Sequence, residues 1–151
     1  MTDGSNEALV RAFMDRAFNQ GDLSAVDEFN TPDGIDHQEP PGTDLSTHLK
    51  QVVVSLRTAF PDLHFEIHDL LSAGDLVAFR STMTGTHTGT LSLMPGKSLP
   101  ATGRRVSVPH MHFVRIVGGK TTDLWHLWNM PMMMQQLGAA ESAGRPDKAG
   151  H

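Results

Sequence analysis

The chain of 151 residues carries a formal net charge of −5, nine histidines and no cysteine. The lack of cysteine excludes disulfides, thiolate nucleophiles and cysteine-ligated metal sites. Its basic residues are scattered, apart from the adjacent Arg104 and Arg105, so the charge pattern gives no sign of nucleic-acid binding. No apolar run approaches the roughly 18 residues that span a bilayer, and the N-terminus lacks a secretory signal pattern. We therefore expect a cytoplasmic protein with no nucleic-acid or membrane partner.

Apolar residues recur at helical spacing in the first half of the chain. The spacing predicts one helix over residues 7–19, a short second helix from Asp22 and a third helix over residues 45–60. Residues 30–34 have the composition of a turn, and residues 35–37 follow them as a very short predicted strand.

The second half of the chain has the alternating pattern of half-buried strands. Its predicted elements are strands over 63–68, 76–87, 106–117 and 121–129, a loop over 88–103 and a last short helix over 130–137. Helices followed by an antiparallel meander predict an α+β fold, in which a curved sheet wraps around the N-terminal helices and encloses a cavity. We expect a single domain over residues 1–138 and a disordered tail over 139–151.

Three histidines are predicted to lie together on one face of the last hairpin. A three-residue loop over 118–120 sets His112 directly opposite His126 and His110 opposite Trp128. Side chains two residues apart share a face, so all four rings point the same way. A two-residue loop would shift the opposed residues by one and part the histidines. The uniformly apolar neighbours of His110 and His112 on their own strand place this face toward the core.

An interior cluster of histidines admits three interpretations. Each ring can be an ordinary buried histidine that is hydrogen-bonded to backbone or water. Because imidazole exchanges protons near neutral pH, His126 and His112 also suit general acid/base catalysis beside an apolar cavity. Asp36 then orients a ring or acts as the base itself, although an ordinary turn carboxylate is equally expected there. Alternatively, His110, His112 and His126 form a three-nitrogen metal site. Its fourth ligand is then Asp36 or His37.

The remaining polar motifs carry weaker indications. Residues 85–89 (GTHTG) look like a phosphate loop, but no helix and no lysine follow them. His64 and His68 are expected on the outer face of their strand, and His48 on the polar side of its helix. The chain has no Gly-x-Ser-x-Gly elbow, which argues against a serine hydrolase.

Five segments stand in a fixed order along the chain: FPDLHFEI at 60–67, MTGTHTG at 83–89, TGRRV at 102–106, FVRI at 113–116 and QQLG at 135–138. Together they resemble the SnoaL-like polyketide cyclases of the nuclear-transport-factor-2-like superfamily, over roughly residues 7–138. The resemblance implies a cone-shaped α+β barrel with no organic cofactor, assembled as a homodimer or homotetramer through the outer sheet face. The cyclases of this family close a ring by intramolecular aldol condensation, with an aspartate of the last strand as general acid/base.

The resemblance also assigns positions to individual residues. It places His126 where the family has that aspartate, a change that keeps a proton-moving group but raises its reference pKa. It places His112 on a histidine that supports the acid, His110 on a polar pocket residue and Asp36 on a pocket asparagine. The superfamily also holds isomerases, dehydratases and pure binding modules, so the fold alone does not choose the reaction.

We therefore expect an enzyme that acts on a small, mainly apolar, carbonyl-bearing metabolite of polyketide type. His126 would move the proton while His112 hydrogen-bonds and tunes it, and His110 with Asp36 would position polar groups of the substrate. The other expected ligand contacts are Trp128, Phe13, Phe18, Met94 and His37, with residues 90–100 as a lid. The alternatives are a non-catalytic carrier or sensor of a small ligand, a metal-dependent enzyme, and a protein that interacts only through its outer sheet face.

Overall fold

The computed structural model describes residues 2–94 and 96–139, except for the side chains of residues 2–4, 93 and 94. The side chain of Met94, an expected wall of the cavity, therefore lies outside the described residues. So does the predicted tail beyond Ala139.

The described residues form four α-helices. They are α1 (Thr2–Phe13), which continues as a π-helical segment (Met14–Asn19), α2 (Ser24–Phe29), α3 (Leu45–Ala59) and α4 (Met130–Gln136). In α3 the buried Leu49, Val53 and Leu56 follow helical spacing, and the side chain of Asp44 caps the helix by accepting the N–H of Thr47. The predicted helices are confirmed, with the first beginning at Thr2 rather than at residue 7.

Seven strands follow from the same described part of the chain. They are β1 (Asn30–Asp36), β2 (His64–Ala73), β3 (Leu76–Thr86), β4 (Leu91–Met94), β5 (Lys97–Leu99), β6 (Arg105–Val117) and β7 (Lys120–Trp128). Five of them make one sheet in the order β1-β7-β6-β3-β2, and β4 pairs with β5 in a separate hairpin. The curved, mainly antiparallel sheet and the helices confirm the predicted α+β class.

Two predicted connections are in fact strands. Residues 30–34, predicted as a turn, belong to β1, which runs parallel to β7. Pro32 is tolerated there because β1 is an edge strand whose pairing is irregular between Asn30 and Ile35. Residues 88–103, predicted as a loop, contain the β4–β5 hairpin, which packs against α3.

The inner face of the sheet forms the core with the helices, as predicted. Val106, Val108, Val114 and Ile116 of β6 are all buried. Between them lie Met111 and Phe113, which are 60% and 53% exposed on the outer face. Within the part of the chain that the structure describes, no helix is long and apolar enough to cross a membrane. The predicted dimer or tetramer stays a prediction.

The β6–β7 hairpin reaches the predicted register by a different route. Its loop has two residues, Gly118 and Gly119, both at positive φ, and not the predicted three. The register then shifts because Thr122 is an extra, unpaired residue of β7. This bulge restores the pairing that the short loop would have lost. The resulting pairs are His112 with His126 and His110 with Trp128.

Candidate functional site

A cavity of about 420 Å³ lies between the helices and the inner face of the sheet. Phe13 and Phe18 line it from the first helix, and Trp128 lines it from the end of β7, as predicted. Phe18 meets the ring of Phe65 edge-to-face at 5.2 Å, which gives this side of the cavity an aromatic wall. The size and lining of the cavity suit a small, mainly apolar ligand.

The described side chains of the predicted lid do not border this cavity. None of the described residues between 90 and 100 lines it, because the β4–β5 hairpin packs on α3 instead. Leu91 of this hairpin is buried with only 4% of its surface exposed. The described part of the hairpin thus packs against the helix.

The GTHTG motif, residues 85–89, does not line the cavity and has a structural role instead. His87 is fully buried and accepts the backbone N–H of Thr102 at its Nδ1 atom, 3.2 Å away. Gly89 lies so close to α3 that a Cβ atom there would be 2.0 Å from the carbonyl oxygen of Thr58. The motif therefore fixes the end of β3 against the helix.

Three imidazole rings form a ladder on the sheet wall of the cavity. The ring centroids of His110 and His112 are 5.8 Å apart, those of His112 and His126 are 5.9 Å apart, and both pairs are nearly parallel. The rings stack because they occupy alternate and directly opposed positions of the hairpin. Among the described hydrogen bonds none joins His112 to His126, so the predicted hydrogen bond between them is wrong. Two buried nitrogens, Nε2 of His110 and Nδ1 of His112, have no partner within the described residues.

Burial keeps two rings of the ladder neutral. It lowers the pKa of His110 to about 3, with a smaller contribution from the charge of His126. Burial likewise lowers the pKa of His112 well below its ordinary value, and the charges of His110 and His126 add to the effect. At neutral pH these two imidazoles therefore offer hydrogen bonds but no charge.

The third ring, His126, pairs with a buried carboxylate. Its Nε2 atom lies 3.1 and 2.9 Å from the two oxygens of Asp36, whose side chain is only 1% exposed. The pair forms because Asp36 ends β1 opposite Leu124 of β7, two residues before His126 on the same face. Asp36 was predicted to orient a ring, and this geometry brings it to His126.

The pKa of Asp36 reflects two opposing influences. Burial acts to raise it, but the hydrogen bonds from His126 and from the N–H of Gln38, together with the charges of His126 and His48, outweigh burial. The pKa of Asp36 is therefore lowered, and the carboxylate stays ionised beside an apolar cavity.

His48 and Glu39 are two cavity residues that sequence analysis missed. The Nε2 atom of His48 lies 3.1 Å from a carboxylate oxygen of Glu39 and 3.8 Å from one of Asp36. The predicted placement of His48 on the polar side of its helix is wrong, since it lines the cavity. The helical spacing contains the clue, because His48 is three residues after Leu45 and four before Val52, which both face inward.

The three rings of the ladder do not form the metal site that was the alternative interpretation of the histidine cluster. Parallel rings with centroids 5.8 and 5.9 Å apart do not bring their nitrogens together around one point. Among the described residues, the ligand atoms that do lie within 4.8 Å of one another belong to Asp36, Glu39 and His48. Within this second set, Nε2 of His48 already lies 3.1 Å from Glu39 and 3.8 Å from Asp36.

His37 lies on the opposite side of the sheet from the cavity. Its Nε2 atom is 2.9 Å from an oxygen of Asp123, and its ring stacks on Trp125 at 4.4 Å. Because successive side chains of a strand alternate, His37 points outward where Asp36 points inward. The predicted ligand contact and the predicted metal-ligand role of His37 do not fit this position.

The fold is a curved sheet with helices around an apolar cavity, and one wall of the cavity carries acid/base groups. This combination is typical of small-ligand enzymes and binding proteins. A model of the SnoaL-like polyketide cyclase family matches residues 8–137. The chain belongs to this family, as its motifs predicted. No curated protein matches it.

Solved structures of several Streptomyces proteins share the fold. AclR of Streptomyces galilaeus, a proposed hydroxylase, is 28% identical with a TM-score of 0.75, over 97% of this chain and 87% of AclR. IdmH of Streptomyces antibioticus, a proposed polyketide cyclase, is 28% identical with a TM-score of 0.73, over 88% of this chain and 98% of IdmH. TsrD of Streptomyces laurentii is 26% identical with a TM-score of 0.74, over 87% of this chain and 96% of TsrD. At the level of the family, the matching family model and the name of IdmH support a cyclase-like enzyme.

Proposed function

We propose that the protein is a cyclase-type enzyme that moves a proton on a small, mainly apolar, carbonyl-bearing metabolite. The observation that carries this proposal is the Asp36–His126 pair on the wall of an apolar cavity. A buried carboxylate that orients an imidazole is a common arrangement for general acid/base catalysis. Membership of the SnoaL-like family and the name of IdmH support a polyketide-type substrate.

The hydrogen bond to Asp36 selects the reactive nitrogen of His126. The ionised carboxylate only accepts hydrogen bonds, so Nε2 of His126 carries the proton and Nδ1 carries the free lone pair. In the proposed reaction Nδ1 takes a proton from the carbon next to a carbonyl group. The C–H electron pair moves into the ligand as an enolate, and Asp36 stabilises the imidazolium that forms.

The neutral rings of His110 and His112 complete the proposed site. Both residues line the cavity, and in the proposed site their neutral rings hydrogen-bond a ligand oxygen. Neutral N–H donors of this kind stabilise an enolate oxygen in a site that excludes water. In an aldol ring closure the enolate carbon then bonds to a second carbonyl carbon of the same molecule, and the new alkoxide takes the proton back from His126.

Deuterium exchange into a simple ketone tests this proposal without the true substrate. We expect the wild-type protein to accelerate exchange of the acidic C–H protons of β-tetralone in D2O, followed by proton NMR. His126→Gln should slow this exchange by about 100- to 10,000-fold, the usual contribution of a general acid/base. His37→Gln is the matched control, because His37 also contacts an aspartate at 2.9 Å but on the outer face.

Two results would contradict the proposal in different ways. Full exchange by His126→Gln would remove His126 from the chemistry. Saturable binding of ketones without exchange by the wild-type protein would instead favour a carrier of small ligands. The apolar cavity and the neutral rings of His110 and His112 suit such a carrier as well.

A further inference from the structure

Four titratable side chains from three parts of the fold make a continuous path beside the cavity. Nε2 of His126 is 2.9 Å from Oδ2 of Asp36, the same Oδ2 is 3.8 Å from Nε2 of His48, and that nitrogen is 3.1 Å from Oε1 of Glu39. The side chain of Asp36 is 1% exposed, that of His48 is 22% exposed and that of Glu39 is 30% exposed. The path thus joins a buried carboxylate to the most exposed of the four groups.

Local structure holds both carboxylates of this path in place. The N–H of Gln38 donates to Oδ1 of Asp36 at 3.0 Å, and the N–H of Glu39 donates to the carbonyl of Asp36 at 3.1 Å. The side-chain oxygen of Gln38 accepts the N–H of His126 at 2.9 Å, which ties this turn to β7. His48 faces the turn from the beginning of α3, where its N–H donates to the carbonyl of Asp44.

We propose that His48 relays protons between the Asp36–His126 pair and Glu39, and so connects the pair to solvent. The inference rests on the proposed function, because it concerns the same pair. Three steps make up the outward path, and each breaks one bond and forms one. Starting from the imidazolium form of His126, its Nε2 proton passes to Asp36, and Nε2 of His48 passes its own proton to Glu39, which releases it to water. The vacated Nε2 of His48 then takes the proton from Asp36. The return path reverses these steps.

The position of one nitrogen atom explains why His48 suits this task. Nε2 of His48 lies 3.1 Å from a carboxylate oxygen of Glu39 and 3.8 Å from one of Asp36, so a small rotation of the ring brings it to either carboxylate. The other titratable groups facing the pair are His112 and His110. No described hydrogen bond connects them to His126, so they offer no competing path.

Proton exchange measured by NMR tests the relay without any substrate. We expect His48→Gln, which keeps a polar side chain but cannot relay a proton, to slow exchange of the Nε2 proton of His126 with water. The slowing should be on the order of tenfold, and free imidazole added to the buffer should restore the rate. A merely structural role of His48 would not be rescued by imidazole. His68→Gln, an exposed histidine bonded to Thr82, is the control and should leave the rate unchanged.

Two further measurements make the result decisive. The charge of His48 helps to lower the pKa of Asp36, so this pKa should rise in His48→Gln, as followed by the carboxyl carbon resonance. Glu39→Gln, at a more exposed position, should slow proton exchange less and tests the last step if His48→Gln folds poorly. Unchanged exchange in His48→Gln, or slowing that imidazole does not restore, would overturn the relay. If the wild-type protein exchanges no ketone protons, the proposed function fails. The exchange of the Nε2 proton of His126 with water still tests the relay in that case.

Discussion

Two histidine–aspartate pairs join β1 to β7 on opposite faces of the sheet. On the inner face the acid is Asp36 of β1 and the imidazole is His126 of β7; on the outer face the acid is Asp123 of β7 and the imidazole is His37, which follows β1. In both pairs the shortest contact between nitrogen and oxygen is 2.9 Å. Contact geometry alone therefore does not distinguish a functional pair from a structural one.

The surroundings of the two pairs are what differ. Asp36 is 1% exposed and borders an apolar cavity beside neutral rings with unpartnered nitrogens. Asp123 is 19% exposed, and its pKa is lowered first by the hydrogen bond from His37 and also by the charge of Arg115. A ligand can reach the inner pair but meets on the outer face only a solvated ion pair stacked on Trp125. The comparison indicates that the proposed function depends on the cavity beside a histidine–aspartate pair, and not on the histidine–aspartate contact by itself.

The largest expected difference between the pairs is in catalysis. In Asp36→Asn the amide donates to Nε2 of His126, so the proton of the ring moves to Nδ1 and the base is lost. We expect ketone exchange to fall by about 100-fold or more, whereas Asp123→Asn should change it less than about twofold. Proton NMR of the ketone in D2O measures both rates. Equal losses of the exchange rate in the two variants would show that the inner and outer faces of the sheet do not differ in catalysis.

The second expected difference is in how stability depends on pH. The pKa values of His110 and His112 are lowered in the folded protein, so below their ordinary value of 6.5 the unfolded chain binds more protons. The free energy of unfolding should therefore be highest above pH 6.5 and fall as the pH falls, toward the pKa of about 3 for His110. Each ring should contribute up to about 1.4 kcal/mol per pH unit. The carboxylates Asp36 and Asp123 change the free energy of unfolding at lower pH, below their ordinary pKa of 3.8.

Urea denaturation between about pH 7 and pH 5 separates the buried histidines from the two carboxylates, because in this window the carboxylates remain ionised. His112→Leu should flatten the dependence on pH, since it removes one of the three histidines whose pKa burial lowers, which are His87, His110 and His112. The matched control is His64→Leu, which replaces an exposed histidine of β2 and should keep the wild-type slope. A slope that survives in His112→Leu would mean that this ring is not held neutral by burial.

Much of the inner wall was predictable from the sequence because strand alternation is a local rule. Once β6 and β7 pair as a hairpin, alternation places His110, His112 and His126 on one face. The predicted three-residue loop was wrong, yet the register was right. The bulge at Thr122 adds the residue that the shorter loop lacks.

The partners of His126 depend on contacts that no local pattern encodes. Asp36 reaches it through the parallel pairing of β1 with β7, between segments about 90 residues apart in the chain. His48 and Glu39 meet only when α3 packs beside the end of β1. Composition made residues 30–34 resemble a turn, and the long-range pairing with β7 overrode that preference.

The smallest expected difference concerns the contribution of the outer pair to stability. Its side chains are 35% and 19% exposed, and such pairs contribute less than about 1 kcal/mol because water screens them. Asp123→Asn should therefore lower the free energy of unfolding by less than about 1 kcal/mol near pH 7, and added salt should shrink this loss further. The pKa of Asp123 is lowered, so whatever stability it contributes is present above pH 3.8 and is lost as the pH falls through its folded value. Urea denaturation at low and high salt measures the effect. A large, salt-independent loss would mean that the outer pair is shielded from water in solution, and exposure would then no longer separate the two faces.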